Sequence, residues 1–204
     1  MTRRYSVDLF VEDRAHEELL VPLLMRIAAE HGVSISCRVR TGRGGHGRVL
    51  HELREYQNTV ERHPAYFSRP DLLVVGIDGN CTAFSRARTA AREMIRPAFV
   101  DRLVVACPDP HVERWYLADP DTVKKVVGHR PSLPRRKCGR DVYKRLLAEA
   151  VRRGGYLPTL GGIEFARELA EAMDFYRAGR TDRSFKAFLD ELRRAMTMLR
   201  DISR

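Results

Sequence analysis

Leu72-Leu73-Val74-Val75-Gly76-Ile77-Asp78-Gly79-Asn80 decides the fold class. The apolar run from Leu72 to Ile77 is unbroken, rich in β-branched residues and too short for a typical helix. That is the pattern of a strand buried on both faces, and strands of that kind belong to parallel sheets covered by helices. Upstream, Tyr5-Ser6-Val7-Asp8-Leu9-Phe10-Val11 reads as a first strand ending at Glu12. From Asp13 to about His31, Leu19, Leu20, Leu23, Leu24 and Ile27 recur at helical spacing, and Gly32 supplies a stop. Val33 to Val39 reads as a second strand, Thr41 to Gly47 as a basic glycine-rich loop, and Val49 to about Val60 as a helix. Downstream, Phe84 to Ile95 is helical, Pro97 breaks it, and Leu103 to Cys107 forms a fourth strand before Pro108. The order βαβαβαβ predicts an α/β fold built on a mostly parallel four-stranded sheet flanked by helices.

No strand pattern follows about Gly128. Asp141 to Arg152, Ile163 to Tyr176 and Ser184 to Leu199 carry apolar residues three and four apart, which predicts a C-terminal helical extension. A chain of 204 residues suffices for one well-buried domain and a modest appendage. The division expected is an α/β domain over residues 1–128 and a basic helical extension, packed on it, over 129–204. Hydrophobic content of 44% and charged content of 31% exclude a disordered or fibrous chain. No apolar run is long enough to span a bilayer, and Met1 to Tyr5 leads straight into strand pattern without a signal-peptide core, so a cytoplasmic protein with no membrane partner is expected.

The net charge of +10 is unevenly distributed: residues 1–128 carry +2 and residues 129–204 carry +8. Between residues 130 and 153, Arg130, Arg135, Arg136, Lys137, Arg140, Lys144, Arg145, Arg152 and Arg153 face only Asp141 and Glu149. That balance suits a polyanion such as nucleic acid, and it equally suits a solvated face in an arginine-rich chain. Cys37, Cys81, Cys107 and Cys138 are far apart, with neither a CxxC pair nor zinc-finger spacing, and are expected to be ordinary buried or half-buried thiols. The seven histidines are just as scattered.

Ligand sites of open parallel sheets collect beyond the carboxyl ends of the strands. Glu12 follows the first predicted strand, Asp78 and Asn80 follow the third, and Asp109 and Glu113 come shortly after the fourth. A few carboxylates with water and phosphate oxygens are what a hard cation such as Mg²⁺ prefers. Each acid also has a local explanation. Asp13 is a natural helix N-cap, Glu17 and Glu18 suit a first helical turn, and Asp-Gly-Asn is turn chemistry. Glu113 has two open roles, a metal ligand or water orienter and a partner for a buried arginine. Trp115 reads as core.

Taken together, these segments resemble a known family. Phe10-Val11-Glu12-Asp13-Arg14-Ala15-His16-Glu17 before a leucine-rich helix resembles the first TOPRIM motif, and Leu72 to Asn80 resembles the hydrophobic strand and Asp-x-Asp motif. Cys107-Pro108-Asp109-Pro110-His111-Val112-Glu113-Arg114-Trp115-Tyr116-Leu117-Ala118-Asp119 is similar to a Pro-x-x-Glu-x-Trp-Leu-x-Asp signature of small bacterial TOPRIM-like proteins related to the OLD and RloB nuclease groups. The likeness covers roughly residues 5–125. It implies that Glu12 acts as acid or base and that Asp78 holds Mg²⁺ or Mn²⁺, while Asn80 stands where the second aspartate belongs and offers oxygen without charge.

The expected function is a metal-dependent phosphodiester-cleaving enzyme, an endonuclease acting on DNA or RNA. Glu12 and Glu113 are its catalytic residues, and Glu12, Asp78 and Asn80 its metal ligands. Arg130, Arg135, Arg136, Lys137, Arg140 and Lys144 hold the nucleic-acid backbone. The alternative is a non-catalytic nucleic-acid-binding or regulatory subunit, and the resemblance implies a separately encoded ATPase as partner. Asp78, as a strand-end acid, is expected to be exposed and replaceable without harm to the fold.

Overall fold

A computed structural model describes residues 3–41, 45–81, 84–134, 138–139 and 141–202. Four parallel strands, β1 (Arg4–Val11), β2 (Ser34–Thr41), β3 (Leu72–Gly76) and β4 (Leu103–Ala106), form one sheet in the order β2-β1-β3-β4. Ten α-helices are present among the described residues, and the arrangement is Rossmann-like. No helix among those residues is long and apolar enough to cross a membrane.

Alternation along β1 sorts the core into two layers. Val7, Leu9 and Val11, with Val74 of β3 and with Val104 and Ala106 of β4, join one apolar cluster. Its helices are α1 (Arg14–Glu30), α5 (Glu113–Tyr116), α6 (Pro120–Val127), α7 (Val142–Arg153), α8 (Ala166–Ala172), α9 (Phe175–Thr181) and α10 (Arg183–Ile202). Phe10, Leu73, Val75 and Val105 face the other way and pack with α2 (His46–Arg62), α3 (Phe84–Glu93) and the one-turn α4 (Pro97–Val100). Asp8 shares that second face, fully buried, where Arg38 and the Tyr56 hydroxyl satisfy it.

The C-terminal helices are continuous with the larger core rather than a separate layer. Trp115 stacks on Phe188 and meets Phe185 edge-on. Ser184 Oγ accepts from the Trp115 indole N–H at 2.9 Å and from the Asp109 amide at 3.2 Å, which ties α10 to the exit of β4. Across the sheet, Glu191 of α10 pairs with Arg88 and Arg92 of α3.

Several expectations need correction. Pro97 does not merely stop a helix; it opens α4 from the first position, where its missing N–H costs nothing. The helix expected from Ile163 to Tyr176 is instead a 3-10 turn (Ile163–Phe165), α8 and α9, because Met173 is extended and Asp174 caps a new helix by accepting from the Arg177 amide. Cys81 and Cys138 are not buried thiols: both are exposed, and a disulfide joins them across 57 positions of sequence. Cys37 and Cys107 are free, the first half-buried and the second buried.

Candidate functional site at the carboxyl edge of the sheet

Strand register builds the site. Val11 pairs with Gly76, and Gly76 with Ala106, so β1, β3 and β4 end at one level and release Glu12, Asp78 and the Cys107–His111 segment side by side. β1 lies between β2 and β3, so the chain changes direction across the sheet at the β1/β3 boundary. Glu12 and Asp78 flank that switch point, where crossover loops part and leave a crevice. The Glu12 amide donates to Gly76 O, and the Asp78 amide lies 3.3 Å from Glu12 Oε1.

Three histidines converge on these acids, a grouping the sequence does not disclose. Asp13 caps α1 by accepting from the His16 amide, and the same oxygen takes His16 Nδ1 at 2.8 Å. The buried ring thereby points its Nε2 at Asp78 Oδ1, 3.2 Å away. Gly76 permits this approach, because a Cβ there would stand 2.8 Å from Leu20 Cδ1 and 3.1 Å from Val11 Cγ1. His111 Nδ1 lies 3.0 Å from Asp78 Oδ2, and His46, at the start of α2, places Nδ1 2.8 Å from Glu12 Oε1. A Ser, Thr, Asp or Asn cap followed three residues later by histidine, as in Asp13-Arg14-Ala15-His16, is the one local signal that could have pointed to His16.

The electrostatics follow from burial and pairing. Burial raises the Glu12 carboxyl, the Asp78 charge raises it further, and His16 and His46 oppose both without cancelling them. Burial alone would also raise Asp78, but His111 and His16 outweigh it and hold that carboxyl below the usual range. For His16, burial disfavours charge, yet Asp13 and Asp78 on either side leave the imidazolium favoured well above its ordinary pKa. The Asp78 side chain is only 14% exposed, so the expectation of an exposed, freely replaceable carboxylate is overturned: its removal would strand the buried imidazolium.

His16 Nε2 and Asp78 Oδ1 are close enough for ionic contact, but neither has a hydrogen-bond partner. Among the described residues no group of three or more His, Cys, Asp or Glu side chains is arranged to hold a metal ion. Mg²⁺ asks for less, since it keeps several waters and commonly takes one or two carboxylates beside substrate phosphate. Glu12 and Asp78, just past the ends of adjacent strands and with Asp78 Oδ1 lacking a hydrogen bond, fit that smaller requirement.

The remaining expected residues are dispersed. Asn80 is exposed, has a left-handed backbone (φ 48°) and donates its N–H to Pro110 O, which is the geometry of a turn. Glu113 is buried, its carboxyl raised by burial, with Lys144 Nζ 3.8 Å away. The buried arginine next to it, Arg114, pairs with Asp182 and donates to the Tyr143 hydroxyl, so Glu113 is not its partner. Arg130 pairs with Asp121 on the surface. Arg135, Arg136, Lys137 and Arg140 lie outside the described residues. A cleft of about 790 Å³ opens beside Glu12, lined by Asp13, Glu17 and Glu18 with Arg14 as its one cation, so its wall is acidic on balance.

Comparisons with family models, curated proteins and solved structures find no match to this chain.

Proposed function

We propose that this chain is a TOPRIM-like, metal-dependent enzyme that cleaves a nucleic-acid phosphodiester. The observation that carries the reading is that β1 and β3 release Glu12 and Asp78 side by side at the switch point, with Asp78 Oδ1 buried and in ionic contact with His16 alone among the described residues. Glu12 and Asp78 would hold Mg²⁺ or Mn²⁺, with Asn80 as a supporting oxygen. A divalent ion in such a site lowers the pKa of water and neutralises charge on the phosphate.

The chain's own groups supply the rest. In the metal-free chain burial and the neighbouring Asp78 charge raise the Glu12 carboxyl, and Glu12 would serve as the acid or base that exchanges a proton at Oε. His111 and His16 fix the plane of the Asp78 carboxylate from two sides. Lys144 and Arg130, with the cations at 135–137 and 140, would draw the polyanion toward an edge that is otherwise acidic.

A second reading, a nucleic-acid-binding or regulatory subunit serving a separately encoded ATPase, is favoured by one observation. Imidazoles already occupy the oxygens that a cation would take. Plasmid and RNA cleavage with added Mn²⁺ or Mg²⁺, with and without chelator, separates the two. Asp78→Asn, which keeps shape and removes charge, should lower cleavage and Mn²⁺ affinity at least about tenfold. Binding without cleavage in wild type, indifferent to metal, would establish the second reading.

A further inference from the structure

We infer that the face of β2 turned toward the α2 side of the sheet is a phosphate lane, on which Arg38 and Arg40 hold the backbone of a single-stranded nucleic acid. Parallel strands are ordinarily covered on both faces. β2 is covered on one. Ile35, Cys37 and Val39 pack against the larger core on the α1 side, whereas Ser34, Arg38 and Arg40 point the other way and are exposed, with Ser36 half-buried among them. The neighbouring positions of β1 on that face are polar too: Arg4 is exposed and Ser6 half-buried, and apolar packing begins only at Phe10, in the cluster that α2 covers.

Both arginines are held in place with donors to spare. Arg38 lies on the fully buried Asp8, its Nε 2.7 Å from Oδ1 and its Nη2 3.4 Å from Oδ2, and the Tyr56 hydroxyl donates to the same carboxylate. Arg38 Nη1 has no hydrogen bond among the described residues, and the side chain is 56% exposed. Arg40 has no ion pair among those residues; its guanidinium stands 4.8 Å from the Tyr56 ring centre and 5.8 Å from that of Phe10. Ring contact orients a guanidinium without consuming its N–H groups, which leaves the fork free for phosphate oxygens. A buried ion pair adds little stability over apolar side chains of the same volume. Asp8 instead fixes Arg38 in one orientation on an open face.

Charge and spacing choose the occupant. The acids nearest this face are engaged: Asp8 by Arg38, Asp71 by Arg3 and by the Ser6 N–H and hydroxyl, and Glu52, one turn before Tyr56 on α2, by Arg48. Arg4 and Arg40 therefore leave the face cationic, which suits a polyanion. Arg38 and Arg40 are two residues apart on an extended strand, about 6.8 Å, the scale of the step between neighbouring phosphates of a stretched single strand. Isologous pairing with a second copy would set these cations against themselves. None of the exposed large apolar side chains lies on β1 or β2, so a bilayer finds no purchase there. Arg40 pairs in register with Phe10, two residues before Glu12, and Glu12 reaches His46 of α2 on the same side of the sheet. β2 is one edge of the sheet and β4 the other, so this lane and Lys144, beside Glu113 after β4, flank Glu12 and Asp78 from opposite sides.

The inference rests on the nucleic-acid reading above, and the experiment separates the two. Anisotropy of fluorescein-labelled single-stranded DNA and RNA is measured with the whole chain in EDTA across a salt series, beside cleavage of the same strands with added Mn²⁺ or Mg²⁺. Arg40→Gln should weaken binding at least about threefold and flatten the slope of log affinity against log salt by about 0.7. Arg40→Lys should recover the slope but not the full affinity, since charge returns without the stacked fork. Arg38→Gln alone would strand buried Asp8, so it is made together with Asp8→Asn, and the double variant should also bind more weakly with its circular dichroism unchanged. Arg180→Gln removes an exposed arginine that stands over Tyr176 on the α1 side of the sheet, and it should change nothing. Binding that Arg40→Gln leaves unaltered, or that Arg180→Gln weakens equally, overturns the lane and leaves the nucleic-acid reading in place. So does binding confined to duplex. Weakening by Arg40→Gln without cleavage in either metal keeps the lane and removes the enzyme. A wild-type chain that binds neither strand overturns both.

Discussion

Asp119→Ala should be among the most damaging single changes outside the candidate site. The carboxylate is 1% exposed and accepts from five donors: Arg177 Nε at 3.1 Å and NH2 at 2.9 Å, the Thr122 hydroxyl at 2.7 Å, the Thr122 amide at 3.4 Å and the Asp174 amide at 3.0 Å. It thus caps α6 and fastens the α8–α9 junction to it. Burial would raise its pKa, but Arg177 and Thr122 outweigh burial and bring it from 3.8 down to about 2. A shift of that size corresponds to roughly 2 kcal/mol, and less once the half-exposed Arg177 is allowed for, so about 1–2 kcal/mol is a fair share for the charge alone. Alanine also abandons buried donors and a helix cap, which brings the expected loss to about 3 kcal/mol. For a chain of this size that is a fall in Tm of roughly 6–12 °C. Because the folded pKa is lowered, the charge contribution is present above pH 3.8 and disappears as pH falls toward about 2. Urea and thermal unfolding of wild type, Asp119→Ala, Arg177→Ala and the double variant at several pH values measure it. A gap between wild type and Asp119→Ala that is under about 1 kcal/mol at neutral pH, or that does not narrow in acid, refutes the reasoning.

Gly76→Ala should cost about 1–3 kcal/mol, since Leu20 and Val11 are fully buried and have little room to give; it should also displace His16 from Asp78, visible as altered histidine NMR shifts. An unperturbed spectrum would mean that the close approach of α1 to β3 is not what seats His16. Asn80→Asp should tighten Mn²⁺ binding in calorimetry if residue 80 supplies an oxygen to the site, whereas unchanged affinity would leave it a turn residue. Replacing Arg135, Arg136 and Lys137 together by Ala should flatten the slope of log affinity against log salt by about two to three units on any duplex, and an unaltered slope would move the nucleic-acid surface elsewhere.

The sheet was legible because each strand is a short apolar block separated by amphipathic helices. Its parallel character could be read from Leu72 to Ile77, which needs cover on both faces. The acids at the strand ends were legible for the same reason, since position in a βαβ unit fixes which end of a strand a residue leaves. The grouping of the three histidines was not. His16, His46 and His111 come from three different connections, and nothing in their spacing reports that α1, α2 and the β4 exit meet. The Cys81–Cys138 pairing was hidden likewise, because partners 57 positions apart leave no local pattern. Periodicity misled between Ile163 and Tyr176: apolar residues on both sides of Met173 face one core, so the repeat runs on although the backbone does not. Glu113 was read beside an arginine correctly, but that arginine had found Asp182, an acid from the far end of the sequence.

Helix α10, the last described element, binds β4 and the exit of β4 through Ser184 and Phe188 and reaches round to α3 through Glu191. Synthesis proceeds from the other end, so the strands and their acids emerge well before this strap does. During that interval the flank of β4 lacks its cover, and a partly made chain presents the apolar surface and free strand edge that invite association with other chains. The cover of β4 therefore comes from a helix that follows it late in the chain, and the larger core closes over that strand only once α10 has been made.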